Sequence, residues 1–471
     1  MNSKKDLVKI SDWLWELPKS FRKDMRVPSH IYATEKLLEK IEPEAITQVV
    51  NVATLPGIVD YSFAMPDIHT GYGFVIGGVA AMSAESGVIS PGGVGYDIAC
   101  SVRLLRSYLS AKEISPYIDA LATEIQKEVP SGLGRGRQVK LSRTEIDKIL
   151  EGGASYLVEQ GYGTKEDIEY CEERGRMEGV DPTLVSDHAK QRGRDQVGTL
   201  GSGNHFMEIQ VVDEIFDKEA AEAFGLLDGQ IVLMIHCGSR GLGHQIATDY
   251  IKIMIRAMEK YDIKLPDREL TCAPFNSPEG QNYFAAMKAG ANFSWANRHM
   301  ITHYIRQAWQ KILGEDARLE LVYDVSHNTA KLEQGRVVHR KGATRAFPPG
   351  HPELPEKYRE VGQPVLIPGS MGTASWVLVG QKEGEQAFFS SCHGAGRAMS
   401  RKEATRRVSG QKVINELKSK GILVKCFSSR GIAEEAPLAY KNVDEVVEVV
   451  KEAGLSKKVA RLLPLAVIKG E

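Results

Sequence analysis

Short apolar runs that do not alternate with helices restrict the fold of this chain more than any other pattern in it. They are "GFVIGGVAAM" (73–82), "CSVRLL" (100–105), "HFMEIQVV" (205–212), "QIVLMIHC" (230–237), "LELVYDV" (319–325), "PVLIP" (364–368), "SWVLVG" (375–380) and "ILVKCF" (422–427). Their lengths suit strands. Helix-period patterns fall at about 111–128, 243–260, 280–313, 398–419 and 443–453. Helices therefore enter as insertions among strands. A doubly wound parallel sheet requires regular alternation, so the pattern predicts an α+β fold. No repeat, low-complexity stretch or Pro/Gly/Ser-rich linker cuts the chain.

Charge excludes one class of function. With 60 basic and 61 acidic residues the net charge is −1, which is not the footprint of a protein that coats nucleic acid. Basic residues do gather at 134–140, 190–194, 339–345 and 401–407, where a basic groove could form. Taken singly, each such cluster is ordinarily a solvated surface. No apolar run is long enough for a signal peptide or a membrane span, so a cytoplasmic enzyme is expected. The six cysteines include no C-x-x-C pair, which reads as reduced thiols and mostly packing residues.

Polar residues with metal-binding chemistry stand at the ends of the strand-like runs. "GGVGYDIAC" (92–100) places Asp97 and Cys100 three apart in a glycine-rich turn. His205 opens one run, and His236 and His327 stand at the exits of two others. One carboxylate, one thiolate and three imidazoles suffice for one or two first-row metal ions, and a bridging thiolate lets five ligands serve two. A single strand-end histidine is usually structural; it is the combination that points to a metal. His299 and His303 have i,i+4 spacing but lack the glutamate of an H-E-x-x-H site, and read as structural. In "SSCHGAGR" (390–397), His393 precedes two glycines and Arg397. Glycine permits close backbone approach and arginine pairs with phosphate, so the histidine either holds structure or meets a phosphate.

Together these segments resemble the RtcB-type RNA ligase family. The resemblance runs through "MPDIHTGYGFVIGGV" (65–79), "GGVGYDIACSVR" (92–103), "GTLGSGNHFMEIQ" (198–210), "IHCGSRGLGHQI" (235–246) and "YDVSHN" (323–328). It continues through "RKGATRAFPPGHPELP" (340–355), "PVLIPGSMGTASWVLVG" (364–380) and "SSCHGAGRAMSR" (390–401) to the C-terminal lysine. "HTGYGFV" departs from the family's usual HQGYGFP, and Trp376 stands where tyrosine is common.

The resemblance implies a single large α+β catalytic domain over 1–471, with helical insertions at about 141–190 and 243–313. It implies two Mn²⁺ ions and GTP, although ligand softness alone favours zinc. Cys100 would bridge the ions, with Asp97 and His205 on one and His236 and His327 on the other. His393 would attack GTP and carry GMP to an RNA 3′-phosphate. The implied reaction joins a 2′,3′-cyclic phosphate or 3′-phosphate RNA end to a 5′-hydroxyl end, in tRNA splicing or RNA repair.

The implied GTP pocket begins with Asn204 as phosphate ligand and Glu208 as guanine-reading carboxylate, with His205, Phe206 and Met207 between. His327 and Asn328 follow, then Pro368, Gly369, Ser370, Met371 and Ser375. His393, Gly394, Ala395, Gly396 and Arg397 form the nucleotide-facing loop. Tyr440 and Lys469 resemble late guanosine contacts. RNA, as tRNA exon halves or broken RNA, and an archease-type activator are the partners implied, with no membrane. Two other functions are weighed: a metal-dependent phosphodiesterase that opens cyclic phosphates without joining ends, and a non-catalytic RNA-binding subunit. The first leaves "SSCHGAGR" unexplained, and near-zero net charge argues against the second.

Overall fold

The computed structural model describes residues 4–132 and 140–470, arranged around two large β-sheets. One sheet has eight strands. Its main path runs Glu320–Ser326, Ser101–Ser110, Gln230–Cys237, Phe206–Ile215, Ser456–Lys469, Ser375–Gly380 and Pro364–Ile367. Leu423–Lys425 joins Ser456–Lys469 in parallel off that path, and all other pairs are antiparallel. The second sheet orders Val8–Lys9, Leu14–Leu17, Ser29–Tyr32, Ile58–His69, Ile76–Ser83, Arg336–Lys341 and Asn328–Glu333. Largely antiparallel sheets with helices packed outside them are the α+β fold expected.

The strand Gln230–Cys237 shows why the central runs read as unbroken apolar stretches. Ile231, Leu233 and Ile235 pack on one face against Ile301, Ile305 and Trp309 of the helix Pro278–Leu313. Val232 and Met234 pack on the other face with Phe224 and Tyr358. Side chains alternate between faces, so a strand covered on both sides needs apolar residues throughout.

The helix Pro278–Leu313 is 36 residues long and buried on most of its surface. Ser277 caps it by accepting from the Gly280 N–H at 3.1 Å, with Pro278 in the first turn. Its buried polar residues serve the loops around it. Asn297 Oδ1, for instance, accepts from the N–H groups of Gly198 and Thr199 at 2.8 and 3.0 Å.

Some expectations change. The pattern at 111–128 is interrupted at Pro116, giving Ala111–Ile114, a 3₁₀ turn and Ile118–Glu128. The pattern at 398–419 becomes Arg401–Arg407 and Gly410–Ser419, the second capped by the Ser409 hydroxyl. The basic cluster 339–345 is not solvated: His339, Arg340, Lys341 and Arg345 are all buried. Most of the cluster 134–140 lies outside the described residues. No helix among the described residues is long and apolar enough to cross a membrane.

Candidate active site

Register brings the expected ligands to one end of the eight-stranded sheet. Ser101 pairs with both Ser326 and Cys237, and Phe206 pairs with both His236 and Lys469. Cys100, His327, His205 and His236 therefore lie at or just beyond adjoining strand ends. The backbone before Cys100 turns through Ala99, whose φ of 50° is left-handed and disfavoured for alanine. Hydrogen bonds hold that turn: the Ala99 carbonyl accepts from Ser294 Oγ at 2.7 Å and Ser101 Oγ at 2.8 Å.

The side chains form two clusters that share Cys100. Cys100 Sγ lies 3.2 Å from His236 Nε2, which is 3.3 Å from His327 Nε2. It lies 3.4 Å from His205 Nε2, which is 2.9 Å from Asp97 Oδ2. Asp97 is held from behind by the Ser239 N–H, which donates to Oδ1 at 2.9 Å.

Burial, reinforced by neighbouring imidazoles, pushes His236 and His327 well below the usual histidine range, which leaves them neutral. Burial opposes ionisation of Asp97, but His205 outweighs it and brings the carboxyl down to about 2. Burial also pushes the Cys100 thiol up to about 12, a cost that a cation within reach of Sγ reverses. A thiol, a carboxylate and three imidazoles, with the donor atoms of each cluster within 4.8 Å of one another, fit two first-row divalent ions.

Behind the clusters lies a fully buried ion triad. Arg298 donates to both Asp324 oxygens at 2.8 and 2.9 Å, and Arg103 Nε donates to Oδ2 at 2.7 Å. Arg298 Nη1 also reaches the carbonyls of Ala99 at 3.2 Å and Cys237 at 3.0 Å, the residues flanking Cys100 and His236. Removing the anion strands two buried guanidiniums. Asp324→Ala is expected to lower stability by about 3–5 kcal/mol. Chemical denaturation measures this, and an unchanged midpoint would contradict it.

His393 stands beside this centre, its ring centroid 4.8 Å from that of His327. Asp67, fully buried, accepts from the His393 backbone N–H at 3.0 Å and faces Nδ1 at 2.6 Å, both through Oδ2. Burial favours the neutral acid, yet His393 and Lys441 keep the Asp67 pKa below the usual range. An ionised Asp67 can only accept, so in the neutral ring the proton sits on Nδ1 and the lone pair on Nε2. The loop must come this close through glycine: Gly396 has φ +72°, and a Cβ there would sit 2.1 Å from the Asp67 carbonyl oxygen.

The two thiol-sharing clusters and His393 open into one cleft of about 560 Å³. Asp97, Cys100, His236 and His327 line it, together with Asn204, Phe206, Glu208 and Asn328. So do Pro368 through Met371, His393 through Arg397, Tyr440 and Lys469. His205 adjoins it through Cys100. Met207 points its side chain into the core on the opposite sheet face, and so offers the cleft its backbone alone. Ser375 sits behind Glu208: Gln210 Nε2 donates to Glu208 Oε2 at 2.6 Å and to Ser375 Oγ at 3.0 Å. A second cavity of about 780 Å³, lined by Arg106, Arg306 and Lys357, contains none of the expected site residues.

Sequence reasoning assigned no role to Asp67, which lies within the segment "MPDIHTGYGFVIGGV" (65–79), and overlooked Glu435. The latter accepts from Arg397 Nη1 at 3.1 Å and Arg401 Nε at 2.7 Å, and pairs with Tyr440. Its only local signal was a buried-type segment, "GIAEEAPLAY" (431–440), beside an already suspected tyrosine.

The family described as tRNA-splicing ligase RtcB matches residues 48–470. A tRNA-splicing ligase RtcB of Thermococcus kodakarensis is 56% identical, over 98% of this chain and 99% of its own length. One of Archaeoglobus fulgidus is 54% identical over the whole of both chains. One of Methanococcus maripaludis is 52% identical, over 99% of this chain and all of its own.

Proposed function

The chain belongs to the RtcB family of tRNA-splicing ligases, and on that premise we propose that it is a GTP-dependent RNA ligase working through a covalent His393–GMP. The RNA ends joined are a 3′-phosphate, or a 2′,3′-cyclic phosphate opened to it, and a 5′-hydroxyl. The observation that carries this reading is His393 itself. Its Nδ1 is anchored on a buried carboxylate while Nε2 has no hydrogen-bond partner among the described residues, in the same cleft as the shared-thiol cluster.

Nε2 attacks the α-phosphorus of GTP, the bond to pyrophosphate breaks, and pyrophosphate leaves with the electron pair. Asp67 holds the Nδ1 proton and stabilises the positive charge that develops on the ring. An oxygen of the RNA 3′-phosphate then attacks the same phosphorus and returns the pair to Nε2. The 5′-hydroxyl attacks the activated 3′-phosphate, and GMP departs. Manganese, held by Asp97, Cys100, His205, His236 and His327, would neutralise phosphate oxygens in these transfers. Incubation with α-labelled GTP and Mn²⁺ tests the reading: the denatured protein should retain acid-labile label, and a ligatable RNA should chase it. Cyclic phosphate opening without any label would instead indicate a phosphodiesterase.

Base choice falls to Glu208. An ionised carboxylate accepts from guanine N1–H and N2–H₂, donors that adenine does not present in that arrangement. Burial pushes this carboxyl up to about 8, against the pull of Gln210 and Lys469. It is therefore mostly protonated at pH 7, and guanine capture releases the proton. GTP affinity should rise about tenfold per pH unit below 8 and level off above it. Calorimetric titration from pH 6 to 9 checks the sign, and Glu208→Gln should flatten the profile. Glu208→Ala should cost roughly 2 kcal/mol, about 30-fold, in the GTP-over-ATP preference.

A further inference from the structure

We propose that Tyr72, Tyr96 and His244 form an aromatic step that stacks a nucleobase of the RNA strand close to the end being joined. The inference rests on the reading of the substrate as RNA. Tyr72 and Tyr96 line the active cleft and are partly exposed. Their ring centroids are 5.4 Å apart, and Tyr96 in turn stacks on His244 at 4.8 Å with an interplanar angle of 23°. His244 is exposed, so the three rings lead from the cleft towards solvent. Tyr96 immediately precedes Asp97, which puts the step beside the metal cluster.

Ring after ring leading out of a reactive cleft is the arrangement single-stranded nucleic acid uses, because every base has a π face. A cation for the strand's phosphates stands beside it. Arg192, from the exposed part of the basic run 190–194, donates to Gln245 Oε1 at 2.9 Å, next to His244. GTP's own base has a separate place: Lys469 lies between the carboxylates of Glu208 and Glu435, Tyr440 pairs with Glu435, and Lys469 Nζ donates to the Gly203 carbonyl at 2.7 Å. The step therefore serves the RNA. Because stacking reads no base edge, it should bind with little sequence preference.

The test uses the full-length, metal-loaded protein without GTP. RNA hexamers carry 2-aminopurine at the terminal nucleotide, in one arm at a 3′-phosphate end and in the other at a 5′-hydroxyl end. Binding should quench the fluorophore in at least one arm, and that arm identifies the strand. Tyr96→Leu and His244→Leu should each weaken that binding about 5- to 100-fold and relieve the quench, while Tyr96→Trp keeps both. No quench in either arm overturns the proposal. So does equal binding by Tyr96→Leu and Tyr96→Trp together with wild-type binding by His244→Leu. GTP labelling of His393 is a separate measurement, so its failure would count against the nucleophile and leave the stacking result standing.

Discussion

His393→Ala should leave no covalent label after incubation with α-labelled GTP and Mn²⁺, and should abolish ligation. The other imidazoles lining the cleft are held elsewhere: His69 Nδ1 lies 2.9 Å from the Asp67 carbonyl oxygen. The neighbouring His327 and His236 belong to the shared-thiol cluster, where their Nε2 atoms lie 3.3 Å apart and point at each other. The variant should still fold and retain metal, because His393 is partly exposed and outside both donor clusters. Asp67→Asn gives the finer test. A carboxamide can donate to Nδ1, which moves the ring proton to Nε2 and removes the lone pair. The expected loss is about 10²- to 10⁴-fold, by analogy with the aspartate of a serine-protease triad. Full labelling of His393→Ala would place the nucleophile elsewhere. Wild-type labelling by Asp67→Asn would mean that the tautomer is fixed by another group.

The residues of the two clusters were legible because strand ends advertise them. Cys100, His205, His236 and His327 each adjoin an apolar run, and antiparallel register then forces those ends together. Asp67 was not legible for the same reason reversed. It lies inside the strand Ile58–His69, with nothing in "MPDIHTG" marking it as the partner of a histidine 326 positions away. Only long-range packing creates that pair.

Strand detection failed in a comparable way at Ser456–Lys469. Its fourteen residues include charged ones and Pro464, which removes a backbone donor, so the run does not read as a central strand. The structure accommodates it with register shifts on its pairing with Phe206–Ile215, one of them between Pro464 and Ala466. That strand delivers Lys469 opposite Phe206. The buried charges at 339–345 were misread because charge alone does not reveal pairing. Arg340 is matched by Glu333 at 2.6 and 2.8 Å, seven residues earlier on a neighbouring strand.

Cys100→Ala should cost more activity than alanine at any of the other five cysteines, by more than about a thousandfold. The reason is topological. Both donor clusters contain Cys100 and share no other member, so its loss leaves two incomplete sites. Even changes one shell beyond a metal cost roughly 10- to 100-fold. Cys237 Sγ lies 3.8 Å from His205 Nδ1, so its alanine variant should fall between Cys100→Ala and the rest; the others have local duties. Cys171 Sγ donates to the Asp167 carbonyl at 3.0 Å, and Cys272 and Cys392 are buried among core residues. Their removal should leave small voids and modest losses of stability. Metal analysis should show Cys100→Ala binding little Mn²⁺, whereas Cys272→Ala keeps the wild-type content. Cys100→Ser separates ligand from packing: a hydroxyl of similar size fills the space but is a poor bridging ligand, so its activity should track alanine. Wild-type metal content and ligation in both Cys100 variants would make the thiol a packing residue and dissolve the two-ion reading.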